Sequence, residues 1–155
     1  MLTFRPIDLN KDRQQIIKFR MDSFKISFGH VEDFNEENYL TYVEERMEQF
    51  PEGYVMVEKD DRTVGQLELS VRLYGDKRIG YVHLFYLVPE ERGTGISREL
   101  VTYAHNFFKM HHIQEYHLRV ASLNKRARKF YEKNNMVEVG PELDGKVIRM
   151  KGFIT

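Results

Sequence analysis

The sequence has no cysteine, which removes disulfides, a thiol nucleophile and thiolate metal ligands in one step. That absence suits a reducing compartment, and a cytoplasmic location is expected. It also lacks an excess of either charge. Lys+Arg and Asp+Glu number 24 each, so no global field favours nucleic acid or an anionic membrane surface as a partner. Long apolar runs are missing too: the longest, Leu84 to Pro89, falls far short of the roughly 20 residues that span a bilayer. The start, Met1 to Asp8, has no basic segment followed by an apolar run, so no signal peptide is expected. Internal repeats, low-complexity stretches and linkers are absent as well, and residues 1–155 read as a single domain.

What is present reads as a soluble globular chain, with 41% apolar and 31% charged residues. Residues 2–7 predict a short strand stopped by Pro6. Ile17, Met21, Phe24 and Phe28 recur at helical spacing until Gly29, and a second helix carries Leu40, Val43, Met47 and Phe50. Residues 54–59 and 64–73 predict strands. In the second, Leu67, Leu69, Val71 and Leu73 face one way, while Gln66, Glu68, Ser70 and Arg72 face the other. Residues 79–88 are apolar on both faces, as in a strand at the middle of a sheet.

A glycine-containing turn follows, then an amphipathic helix from about Ser97 to His111. Residues 115–121 alternate again as a strand, Asn124 stands where an N-cap would start a short helix, and two closing strands cover 136–139 and 146–151. The expected order is β-α-α-β-β-β-α-β-α-β-β. It implies an α/β domain (α+β in its mixed sheet) flanked by helices.

The segment with most chemistry in it is VPEERGTGISREL, Val88 to Leu100. A buried strand ends, Gly93 and Gly95 flank Thr94, and a helix begins at once. Free backbone N–H groups at a helix start, approached through glycines, make an anion site, and Arg92 adds a positive charge at the entrance. A P-loop would need Lys then Ser or Thr after its last glycine, and a dinucleotide fingerprint would need glycine where Arg98 stands. Arg-x-x-Gly-x-small fits, through Arg92, Gly93, Thr94, Gly95, Ile96 and Ser97. On the residues alone, a phosphate cradle and an ordinary glycine turn both remain open.

This segment resembles the coenzyme A pyrophosphate loop of the GNAT superfamily of N-acetyltransferases. The strand YVHLFYLVP before it and the helix RELVTYAHNFF after it extend the likeness. The run Asn124-Lys-Arg-Ala127-Arg-Lys-Phe130-Tyr131-Glu-Lys133 is similar to the family's second signature, and LTFRPID is similar to its first strand. Two positions depart from the pattern: Ser97 where Gly or Ala is usual, and Asn135-Met136 where Gly-Phe is usual. Serine stays small, and Asn tolerates the left-handed backbone that Gly would supply.

The resemblance implies an acetyl-CoA-dependent enzyme that acetylates an amine by direct aminolysis in a ternary complex, with no metal. It implies that the Val88 N–H lies near the thioester and that N–H groups from Gly93 to Ser97 hold the pyrophosphate. Asn124 and Phe130 would line the cofactor, and Tyr131 would be the general acid. A phenol with pKa near 10 is protonated at neutral pH and can deliver its proton to sulfur. Read by itself, Tyr131 could equally be a packing residue against Ala127.

Glu68, His83, Tyr86 and His117 are candidate bases, none singled out. The six histidines show no metal-binding spacing. The basic run Lys125, Arg126, Arg128, Lys129 reads as a solvated helix face or as a partner for the cofactor's adenosine phosphate. Glu32, Asp33, Glu36 and Glu37 read as a solvated loop or as an attraction for a cationic acceptor. The acceptor, a small-molecule or peptide amine, is expected to be set by the loops 29–38, 74–78 and 140–146. A homodimer through an exposed strand edge is a further expectation. A non-catalytic acyl-CoA-binding module of the same fold is the alternative to an enzyme.

Overall fold

The computed structural model describes residues 2–29 and 34–154. Its elements are β1 (Leu2–Pro6), α1 (Leu9–Phe28), α2 (Glu36–Gln49), β2 (Tyr54–Lys59), β3 (Arg62–Tyr74), β4 (Lys77–Leu87), α3 (Ser97–Met110), β5 (Glu115–Ala121), α4 (Lys125–Lys133), β6 (Val137–Glu142) and β7 (Val147–Phe153). The order and types match the sequence expectation. The strands form one seven-stranded sheet, β1-β2-β3-β4-β5-β7-β6. All neighbours are antiparallel except β4 and β5, which run parallel because α3 crosses over between them.

Strand alternation divides the core in two. Val55, Val57, Leu67 and Leu69 meet α3 on one face; Tyr54 and Met56 meet α1 and α2 on the other. The helices start where the sequence offers caps. Asp8 and Asn35 accept from Asn10 and Asn38 N–H at the starts of α1 and α2, and Gly29 ends α1 at φ +80°. Asn124 caps α4 through Ala127 N–H at 3.1 Å, as the sequence suggested. Asn135 stands at φ +67°, so it does take the left-handed backbone expected of it.

Two features depart from the pattern read in sequence. The polar row of β3 is not a wet face: Gln66, Glu68 and Ser70 are buried beneath α1 and α2. The apolar stripe of α1 buries only its early part, at Ile16, Ile17 and Phe19, while Phe24 and Phe28 form the wall of a cleft.

That cleft is opened by an irregularity in β4. Leu84 pairs with Glu68 and Val82 with Leu69, so His83 is an extra residue, a β-bulge. Before it, Gly80 and Val82 face α3; after it, Phe85 and Leu87 do. His83 and Leu84 are thus both turned toward α1 and α2. Pairing of β4 with β5 covers only Gly80 to Val82, and the two strands part beyond that point.

Candidate active site

The gap between β4 and β5 leads into a cleft of about 650 Å³. Its far end is the turn between β4 and α3. Gly93 and Gly95 adopt φ +78° and +92°, a region open to glycine at no steric cost. Those two reversals leave every N–H from Gly93 to Ser97 without an acceptor among the described residues. No side chain caps α3 either. A Cβ on Gly95 would touch nothing within 4 Å, so glycine here keeps the space outside the backbone clear. The turn is braced from behind: Lys59 pairs with buried Glu91 at 2.8 Å, and Thr94 Oγ1 donates to the Glu91 carbonyl at 2.7 Å. Unshared N–H groups at an uncapped helix start on a braced turn fit a phosphate group.

Two expectations about this end change. The Val88 N–H is not free: it donates to the Val64 carbonyl of β3 at 2.9 Å. Opposed pairs alternate in an antiparallel ladder, so Phe85 and Leu87 turn their N–H groups away from β3, into the gap that β5 has left. The Leu87 carbonyl confirms this direction by accepting from Arg92 Nε at 2.8 Å. Arg92 itself is drawn inward, pairing with Asp22 at 3.2 Å and lying over the Tyr86 ring. It ties the turn to β4 and α1, and Asp22 offsets its charge. The cation that does stand over the cradle is Arg126, whose guanidinium lies beside Gly93. The basic run therefore divides, for Arg128 is held by Glu138 at 2.5 Å.

Asn124, Phe130 and Tyr131 line the middle of the cleft, on and just before α4. The Asn124 carbonyl oxygen serves its own helix, and Phe130 packs against Phe85. Tyr131 rests on the α3-side core, yet its hydroxyl has no hydrogen bond among the described residues. Burial raises its pKa well above the ordinary phenol value, so it holds its proton firmly. α4 is a short helix, and its place is fixed by β5 before it and by Met136 buried after it.

The near end of the cleft is built around His83. Arg46 reaches its Nε2 at 2.8 Å and Ser70 at 2.7 Å, while Tyr42 meets Nδ1 at 2.5 Å. A guanidinium can only donate, so Nε2 is the acceptor and Nδ1 carries the hydrogen. Burial, then the charges of Arg46, Arg72 and Arg20, push the His83 pKa from 6.5 down to about 2. It is a neutral orienting residue with no basicity to offer at neutral pH.

The other candidate bases are also engaged. His117 is buried between Arg149 at 2.9 Å and Glu115 at 2.6 Å, and burial lowers its pKa. Tyr86 donates to Asp22. Glu68 accepts from Tyr39 at 2.5 Å and Gln66 at 2.9 Å, and burial raises its pKa. Glu36 and Glu37 occupy the first turn of α2, where carboxylates suit the helix dipole; Glu32 and Asp33 lie outside the described residues.

Sequence reasoning missed the arginines. Arg20 from α1, Arg46 from α2 and Arg72 from β3 join this end, although nothing in their spacing links them. The only signal was Arg72 on the polar row of a strand. Among the described residues, no group of three His, Asp or Glu side chains could hold a metal ion, and no helix is long and apolar enough to cross a membrane.

The family model described as "Acetyltransferase (GNAT) family" matches residues 14–136, from the middle of α1 to the start of β6. No curated protein matches the chain in sequence. Among solved structures, a GNAT-family acetyltransferase of Staphylococcus aureus is similar at TM-score 0.79 and 16% identity, covering 100% of both chains. The PaiA N-acetyltransferase of Thermoplasma acidophilum, solved with coenzyme A, gives 0.75 and 19%, covering 99% of both chains. Spermidine N-acetyltransferase of Vibrio cholerae, in complex with coenzyme A and spermine, gives 0.73 and 20%, covering 99% of this chain and 95% of that one. At such identities the structural likeness establishes the fold.

Proposed function

The chain belongs to the acetyltransferase (GNAT) family, and we propose that it transfers the acetyl group of acetyl-CoA to a primary amine by direct attack, with Tyr131 as general acid. One observation carries the reading. A single cleft joins a cradle of unshared N–H groups, a pair of parted strands and an unpartnered tyrosine hydroxyl.

In this reading the N–H groups of Gly93 to Ser97 hold the pyrophosphate and Arg126 adds charge beside them. The Phe85 and Leu87 N–H groups, left open where β5 departs, hold the pantetheine arm and its carbonyl in place of Val88. Acetyl-CoA supplies an activated thioester. The attacking nitrogen forms a C–N bond, the C–S bond breaks, and Tyr131 gives its proton to the departing sulfur. Donors fixed by the strand at the carbonyl oxygen stabilise the charge that develops there, because they need no reorganisation during the step. The ammonium proton leaves through water, since Glu68, His83, Tyr86 and His117 are all otherwise engaged.

The test is thermal unfolding with acetyl-CoA, free coenzyme A, ATP and NAD in parallel. Coenzyme A forms at about 100 times Kd should each add about 2.7 kcal/mol, with nothing from NAD. Binding without thiol release for any amine would favour the non-catalytic module instead. Against that module stands the Tyr131 hydroxyl, which has no structural duty among the described residues.

A further inference from the structure

The acceptor end of the cleft is cationic. Six arginines line the cleft as a whole, and among the described residues no aspartate or glutamate does. Three are accounted for elsewhere: Arg92 by Asp22, Arg119 by Glu142, and Arg126 by its place over the cradle. Arg20, Arg46 and Arg72 make no ion pair among the described residues. Their bonds are few. Arg20 donates to the His83 carbonyl at 3.1 Å, Arg46 to the His83 ring at 2.8 Å, and Arg72 lies over the Tyr81 ring at 4.9 Å. Most of their N–H donors are therefore open to the cleft.

The cluster is held as well as charged. Arg46 stacks on the Tyr42 ring at 3.8 Å, and Tyr42 in turn grips His83. The bulge in β4 turns His83 toward both helices, so one residue organises arginines from α1 and α2. Glu68 is fully buried and committed to Tyr39 and Gln66. A guanidinium fork matches the paired oxygens of a carboxylate or phosphoryl group, and a cationic acceptor would be repelled by the same three charges.

We infer that the acceptor is a small amine that also carries a carboxylate or phosphoryl group, seated on Arg20, Arg46 and Arg72 while its amine faces the parted strands. This rests on the acetyltransferase reading, and of the two readings of the acidic loop it favours a solvated loop over an attraction for a cationic acceptor. Recognition by side chains on two helices and a strand also replaces the expected control by loops alone.

Thiol release from acetyl-CoA would be measured with aspartate, glutamate and phosphoethanolamine, with the diamides of the two amino acids (both carboxyls amidated) and ethanolamine as uncharged counterparts, with spermidine, and with an acidic and a neutral peptide. At least one small anionic amine should exceed its uncharged counterpart and spermidine by tenfold or more in kcat/KM. The carboxylate and phosphoryl arms identify which anion is read. Arg72→Gln, at an exposed side chain without a hydrogen bond among the described residues, should raise KM for that acceptor about tenfold with kcat little changed, and Arg46→Gln should do the same or more. Coenzyme A should stabilise both variants as it does the parent.

Preference for spermidine, the amides or a peptide, equal turnover in the variants, or no small anionic amine acetylated by protein that still binds coenzyme A would each overturn the inference. Failure of coenzyme A to bind would instead remove the acetyltransferase reading beneath it.

Discussion

The two ends of the cleft are made of different material. The far end is backbone: N–H groups freed by glycines at φ +78° and +92°, and strand groups freed where β5 departs from β4. The near end is side chain, with arginines from three elements gathered on His83. In the proposed function, the backbone donors meet what every acetyl-CoA molecule shares, its phosphates and its arm, and tolerate most substitutions except at glycine. The side chains in that reading meet what distinguishes one acceptor from another, and each can be changed alone. A fold that keeps one co-substrate and changes the other would place these materials as they stand here.

The largest expected effect lies where the ends meet. Tyr131→Phe should lower kcat by about 10²–10⁴, the range of a general acid, while coenzyme A stabilises the variant as before. Equal kcat in a stopped-flow or thiol-release assay would make Tyr131 a packing residue and break the continuity of the two ends. Gly95→Val tests the backbone end. No protein atom opposes its Cβ, but the φ of +92° costs about 1–2 kcal/mol in a side-chain residue. Affinity for coenzyme A should fall at least about tenfold, because the added methyl groups occupy the ligand's space. Unchanged affinity by calorimetry would show that the cradle is only a turn.

At the side-chain end, the test is pH. The folded His83 pKa of about 2 lies below its unfolded value of 6.5, so its contribution is complete above 6.5 and is lost as pH falls toward 2. Over that window the group should remove about 1.4 kcal/mol of stability per pH unit. His83→Gln should lack this share of the acid limb in urea titrations at pH 4 and 7. Parallel curves would mean that burial and the arginines do not hold His83 neutral. The smallest effect belongs to Glu68, whose pKa burial raises. Its folded form binds the proton more tightly, so stability is lost as pH rises through the folded pKa. Glu68→Gln should gain on the parent in Tm at pH 7.5 relative to pH 4.5. A gain at pH 4.5 instead would reverse the sign.

Element order was readable because period alone separates a strand from a helix, and caps such as Asn124 and Gly29 stand next to what they end. One boundary shifted at Leu9, where α1 begins well before its apolar stripe because Asp8, a local cap, starts it. The turn proposed as the cradle was readable for the same reason as the caps: its glycines, its bend and the helix start are adjacent in the chain. Val88 was misassigned because which way an N–H points depends on pairing with Val64, a partner the segment does not contain.

By itself, then, the sequence determined the elements, their order and the backbone end of the cleft, all of which are set by residues within a few positions of one another. Tertiary structure alone decided the bulge at His83, the parting of β4 from β5 and the gathering of Arg20, Arg46 and Arg72. Each of these depends on register between strands or on helices crossing a sheet, and no local pattern records which distant side chains a fold will bring together.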